Sequence, residues 1–219
     1  MEHHVFPLAE WKLPREKAVP LTRMITRRRF PVRVWMKILP VATLFALVTV
    51  PTLSAQAAST PLPAEATANP VVWSAKMLYS RNSKNMIAAA EEMPEDKYSY
   101  HPTAAQSTFA KVVSHVAQSN GGLCSGLSGT QAPASLHVSD TASKAELVAA
   151  LKASFDFCSS ALDGLNDAKL KDPVTLFHRQ MPRAAALLIL TADLPDHYSQ
   201  MATYLRLNGM LPPSAQPRK

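Results

Sequence analysis

One histidine, His197, stands inside "DHYSQMATYLRLNGMLPP", Asp196 to Pro213, a stretch that otherwise reads as an ordinary amphipathic helix. An imidazole at such a place has two roles open to it. It packs as a partly buried side chain with a backbone partner, or it binds a transition metal through a ring nitrogen. Other chemistry is scarce in the chain. No nucleophilic Ser-His-Asp order, glycine-rich phosphate loop or Cys-x-x-Cys pair occurs. His101 and His178 read as surface residues. Two cysteines, Cys124 and Cys158, complete the reactive inventory.

Charge narrows the field. The net charge of +7 is distributed unevenly: residues 1–57 hold nine Lys/Arg against three Asp/Glu, and residues 58–219 hold fourteen against thirteen. The positive excess therefore belongs to the N-terminal extension. A near-neutral remainder without a basic stripe releases few counterions on binding DNA, so nucleic acid is not an expected partner.

The extension, residues 1–57, reads as an export signal. Ile38 to Val50, "ILPVATLFALVTV", is thirteen uncharged residues, short of the ~20 that span a bilayer. Basic residues Arg27, Arg28, Arg29, Arg33 and Lys37 precede it, and Ala55-Gln56-Ala57 fits a small-x-small cleavage site. The expected mature chain begins at Ala58, has no stable membrane span and resides in the periplasm or outside the cell. The uncleaved alternative leaves the apolar run as an anchor. "TRRRFPV", Thr26 to Val32, resembles the twin-arginine export motif, with Pro31 and Val32 departing from its usual Leu-Lys; the general secretory route stays open beside it.

Four elements must position His197. Residues 58–70 are small, polar and proline-spotted, a flexible lead-in. A first helix is expected over Val72–Glu92, with a stripe of Trp73, Met77, Met86 and Ile87, and Pro94 stopping it. A second is expected over Thr103–Leu127, where Phe109, Val112, Val113, Val116, Asn120, Leu123 and Leu127 recur at three and four. A third opens on a capping box, Ser143 and Glu146, and buries Leu147, Leu151, Phe155, Cys158 and Leu162. A fourth is expected over Val174–Leu207, with Leu187, Leu190, Leu194, His197, Met201, Tyr204 and Leu205 on one stripe and Asn208-Gly209 as its left-handed cap. Pro195 removes the bond to Thr191 and is expected to kink or split that helix. Four amphipathic helices and no strand make an all-α four-helix bundle, and ~160 residues suffice for its core.

"AAEEMPEDKYSYHPTAAQSTFAKVVSHVAQSN" and, much later, "DHYSQMATYLRLNGMLPPSA" resemble the DinB-like superfamily of four-helix bundles. The likeness extends over about residues 71–215, the whole mature domain. It implies an up-down-down-up bundle with a long crossover between the second and third helices. Better understood relatives resemble metal-dependent enzymes that use low-molecular-weight thiols, as S-transferases or isomerases. Metal-bearing members use a histidine in the second helix and a His-x-x-x-His pair in the fourth. His115 and His197 fall on two of these positions, and Asp193 replaces the third.

The replacement reads two ways. As a ligand, Asp193 shares a helix face with His197 four residues on, and with His115 it makes two histidines and a carboxylate. That set suits a divalent metal, Zn, Fe or Ni, and a hydrolytic or thiol-transfer reaction on an unknown substrate. As a cap, Asp193 starts a new helix at the Pro195 break, and both histidines are ordinary. The protein is then a metal-free bundle that binds a small molecule or is structural. Whether it is an enzyme stays open, a small-molecule ligand is the expected partner, and a homodimer is compatible with either reading. The implied topology also sets the second and third helices parallel, with Cys124 and Cys158 at similar height. They then form a disulfide, or remain two small buried side chains.

Overall fold

The computed structural model describes residues 61–217. The chain divides into two units, Met1–Gln56 and Ala57–Lys219, and the described residues belong to the second. The apolar run 38–50, the twin-arginine stretch and the cleavage site lie outside the described residues.

Four long helices make the bundle. A short helix α1, Ala64–Ala68, interrupts the expected lead-in and is followed at once by α2, Pro70–Glu92. Pro70 occupies the first turn, where its missing N–H costs nothing. The free N–H groups of Val71 and Val72 are taken by the Asp167 carboxylate, a cap supplied from 95 residues away. Val72, Ala75, Tyr79, Met86, Ala89 and Ala90 are its buried side chains. Met77 is 56% exposed and Trp73 half-buried, whereas Met86 is buried and Ile87 packs on the core, so the expected stripe holds only in the second half of the helix. Small alanines do much of the packing along α2, and they carry little periodic signal.

Helix α3, Phe109–Ser128, begins six residues later than the periodicity suggests. Thr108 caps it, accepting the Lys111 N–H at 3.1 Å. Residues 103–106 instead close a turn through Gln106 N–H to Thr103 O. Every apolar residue of its expected stripe is buried, as is Asn120. Helix α4, Lys144–Asp163, carries the full capping box at Ser143 and Glu146.

The fourth helix differs most. α5 runs Arg183–Leu207, and residues expected at its start form a β-hairpin, β1 Pro173–Leu176 paired antiparallel with β2 Arg179–Pro182. Val174 and Leu176 point into the core. Phe177 and His178 form the turn, both at positive φ, 51° and 60°. Pro195 does not split α5, which continues unbroken past it. At its end Gly209 adopts φ 76°, and Met210 N–H reaches back to Leu205 O while Gly209 N–H reaches Arg206 O, closing the last turn.

Cross-helix contacts fix the direction of each helix. Asn120 meets Ser154 and Cys124 meets Cys158, so α3 and α4 advance together and are parallel. Ser107 meets Tyr204, Ser119 meets Asp193 and Leu127 meets Arg183, so α5 runs against α3. Tyr79 meets Phe155 and Met93 meets Lys144, so α2 runs against α4. In chain order this is up, down, down, up. The crossover between α3 and α4 lies back along α3: Ala132 and Leu136 pack on Gly121, Val138 O accepts from Gln118, and Asp140 pairs with Lys111. A side chain at position 121 would press on Leu136 at 3.3 Å, so glycine lets the crossover sit close. Cys124 and Cys158 are joined in a disulfide, Cα atoms 5.2 Å apart, in the bundle core.

Candidate functional site

α3 and α5 pass each other in opposite directions, and this brings His115, Asp193 and His197 together. Asp193 and His197 share a face of α5 because the helix continues through Pro195; Asp193 is an interior residue and caps nothing. His197 Nε2 lies 3.4 Å from Asp193 Oδ1. The other carboxylate oxygen, Oδ2, accepts the Ser119 hydroxyl at 3.0 Å. Ser119 is not among the candidates the sequence suggests, although it stands one helical turn after His115 and so on the same face of α3. The His115 ring meets that of His197 edge to face, centroids 4.8 Å apart and planes at 71°. Together they form a row, Ser119–Asp193–His197–His115, that starts between the helices and ends at solvent, where His115 is exposed. A cleft of about 220 Å³ opens over the two histidines, lined also by Ser107, Lys111, Val112 and Gln200.

The electrostatics separate the two imidazoles. Contact with the Asp193 carboxylate raises the pKa of His197, outweighing its partial burial. Partial burial and then the nearby His197 lower the pKa of His115, against the weaker pull of Asp193. For Asp193 burial alone would favour the neutral acid, but contacts from His197 and Ser119 and the histidine charges outweigh it, and its pKa falls. A proton shared by the row is therefore held by His197 in preference to His115, whose neutral form is favoured and can accept a hydrogen bond or a proton. His197 Nδ1 is shielded from solvent and has no hydrogen-bond partner among the described residues.

Two imidazoles and a carboxylate have the right chemistry for a divalent cation. Their arrangement here does not suit one. Both Asp193 oxygens are engaged, one by Ser119 and one by His197. Among the described residues no three His, Cys, Asp or Glu side chains converge as a set that could hold a metal ion. An ion would have to displace His197 from Asp193 and draw in His115.

Four long helices with a histidine pair and an aspartate between the second and fourth define a class of helical bundle proteins. The chain belongs to the DinB superfamily, whose family model matches residues 78–201. The superfamily is generally metal-binding. Among solved structures the chain is similar to a DinB-like protein of Bacillus cereus ATCC 10987, at 17% identity and TM-score 0.54 over 64% of this chain and 93% of that one. It is similar also to a DinB-like protein of Bacillus subtilis, at 20% identity and TM-score 0.53 over 68% of this chain and all of that one. Both likenesses concern the fold. Comparison with curated proteins returns no match.

Proposed function

We propose that this protein is an exported bundle that binds a small polar ligand in the α3–α5 cleft without a resident metal. His115 is the group that meets the ligand, and its partial burial and then the neighbouring His197 favour its neutral form. One observation carries the reading: Asp193, standing where metal-bearing relatives place a histidine, spends both oxygens on Ser119 and His197. An imidazole whose neutral form is favoured accepts a proton or hydrogen bond from a ligand, and the nearby aspartate offsets the charge. Elemental analysis tests this after the protein is supplied with Zn, Fe and Ni in turn. The expected result is only trace metal, the same in wild type and His197→Ala. A stoichiometric metal that His197→Ala loses would restore the metal-dependent enzyme, and the unpartnered Nδ1 of His197 is what favours that second reading.

Export rests on the N-terminal sequence and gains support from the disulfide. Such bonds persist in oxidising compartments and are rare in the cytosol. The thiol cofactors used by relatives are cytoplasmic, which argues against thiol transfer as the activity of this member. No helix among the described residues is long and apolar enough to cross a membrane.

A further inference from the structure

At the opposite end of α3 from the histidines lies a second cleft, of about 350 Å³. Lys111 and Ser128 mark the two clefts, and the seventeen helical steps from one to the other span about 25 Å along the axis. This second cleft exists because α3 and α4 are parallel: both helices end here, and α5 begins here. Its walls carry two cations, Lys169 and Arg183, and an apolar floor of Phe157, Ala161 and Leu165.

Each cation makes one bond to a helix end. Lys169 Nζ donates to Gly164 O at 2.9 Å and Arg183 Nη1 to Leu127 O at 2.8 Å. Capping carbonyls is a common duty of basic residues, and it uses a minor part of what these two offer. An ammonium has three N–H donors and a guanidinium five. Among the described residues neither cation pairs with a carboxylate. Asp163 is paired with Lys76, and Asp167 is spent on the start of α2. The Asp172 carboxylate reaches neither cation, although its backbone carbonyl accepts the Arg183 N–H. Arg183 Nε is shielded from solvent and has no acceptor among the described residues. A cap alone would not leave it so, because a buried donor without an acceptor destabilises the fold, the more so when it is charged.

The cleft hydroxyls sort themselves by their bonds. Ser128 Oγ donates to Cys124 O and Ser160 Oγ to Asp156 O, so neither has a proton to offer. The free donors are those of the two cations and the Thr130 hydroxyl. With Nη1 committed to Leu127, Nη2 is the guanidinium nitrogen left to a ligand oxygen, and a carboxylate that displaces the groups shielding Nε takes that donor as well, through the edge that matches its two oxygens. From these observations we infer a second ligand site, one that takes a small monocarboxylate with a short aromatic or aliphatic body. The carboxylate lies between Arg183 and Lys169, and the body rests on Phe157, Ala161 and Leu165. The volume falls at the lower end of the range for small-molecule sites, roughly 300–1,000 Å³. The site is independent of the histidine row, and either can fail without the other.

Benzoate is the probe, with uncharged benzamide as its shape-matched control. Arginine Nε–H resonances and histidine ring resonances are followed by NMR during titration of the disulfide-bonded protein. The expected result is a saturable shift of the Arg183 Nε–H with benzoate and none with benzamide. Lys169→Gln, at an exposed position, should weaken benzoate about tenfold, the loss of one charge-assisted bond, and Arg183→Gln should abolish the effect. If Arg183→Gln fails to fold, the wild-type Nε–H shift and the Lys169→Gln titration decide the matter alone. Equal binding of benzamide, no saturable shift at Arg183, or shifts confined to His115 and His197 would each overturn the inference.

Discussion

His115 and His197 touch, yet their pKa values move in opposite directions. Each direction sets its own limb of a stability curve. His197 is raised in the folded protein, so its contribution is whole below the unfolded value and is lost as pH rises through the folded one. His115 is lowered, so the folded state resists a proton that the unfolded chain accepts, and stability falls as pH drops below the unfolded value. Asp193 is lowered too, and its contribution is lost only at more acid pH. Stability should therefore peak near the ordinary histidine pKa of about 6.5 and decline on both sides. Denaturant unfolding across the pH range checks this. His197→Gln should flatten the alkaline limb and leave an acid one, whereas His115→Gln should flatten the part of the acid limb nearest neutrality. Asp193→Asn should bring the His197 pKa down, visible in its ring resonances; an unchanged titration would mean the pair is not coupled. At this scale the sequence is partly legible. The resemblance names His115 and His197 and makes Asp193 the odd member. It does not show that Asp193 turns to Ser119 and His197, because those contacts depend on how α5 passes α3.

Elements are legible in proportion to the regularity of their side chains. α3 and α4 carry large apolar residues at helical spacing, and both stripes are buried as expected. α2 packs largely through alanines, and only the second half of its expected stripe, Met86 and Ile87, meets the core. The hairpin escapes a reading of the sequence for another reason. Its two-residue turn needs positive φ at both positions, which Asn-Gly or Asp-Gly normally supplies, and here Phe177 and His178 occupy it. Neither residue announces a turn. An ordinary side chain in the left-handed region costs roughly 1–2 kcal/mol, so Phe177→Asn with His178→Gly should stabilise the protein by about 1–2 kcal/mol. Thermal unfolding is the measurement, and a lower midpoint would show that the Phe177 or His178 side chain has a task of its own. Pro195 marks the converse case. A local rule expects a break in α5, and packing on both sides of the proline keeps the helix whole, which is what leaves Asp193 and His197 one turn apart.

At the scale of the molecule, the topology and the cysteines explain one another. Parallel α3 and α4 require a long return, and the same parallelism sets Cys124 opposite Cys158. Cross-linking residues 34 apart removes about 3–4 kcal/mol of chain entropy from the unfolded state. Reduction, or Cys124→Ser with Cys158→Ala, should lower the unfolding free energy by about 2–4 kcal/mol. Thiol titration of the unfolded, non-reduced protein should find no free thiol, and two would remove the bond from the description. The bond also encloses the whole return segment, residues 129–143, in a covalent ring. A protease that cuts anywhere in that segment leaves two peptides and still one molecule. Such a nicked protein would gain only the mass of one water, migrate as a single species without reductant and part into two with it. Its bundle could then outlast the continuity of its own backbone.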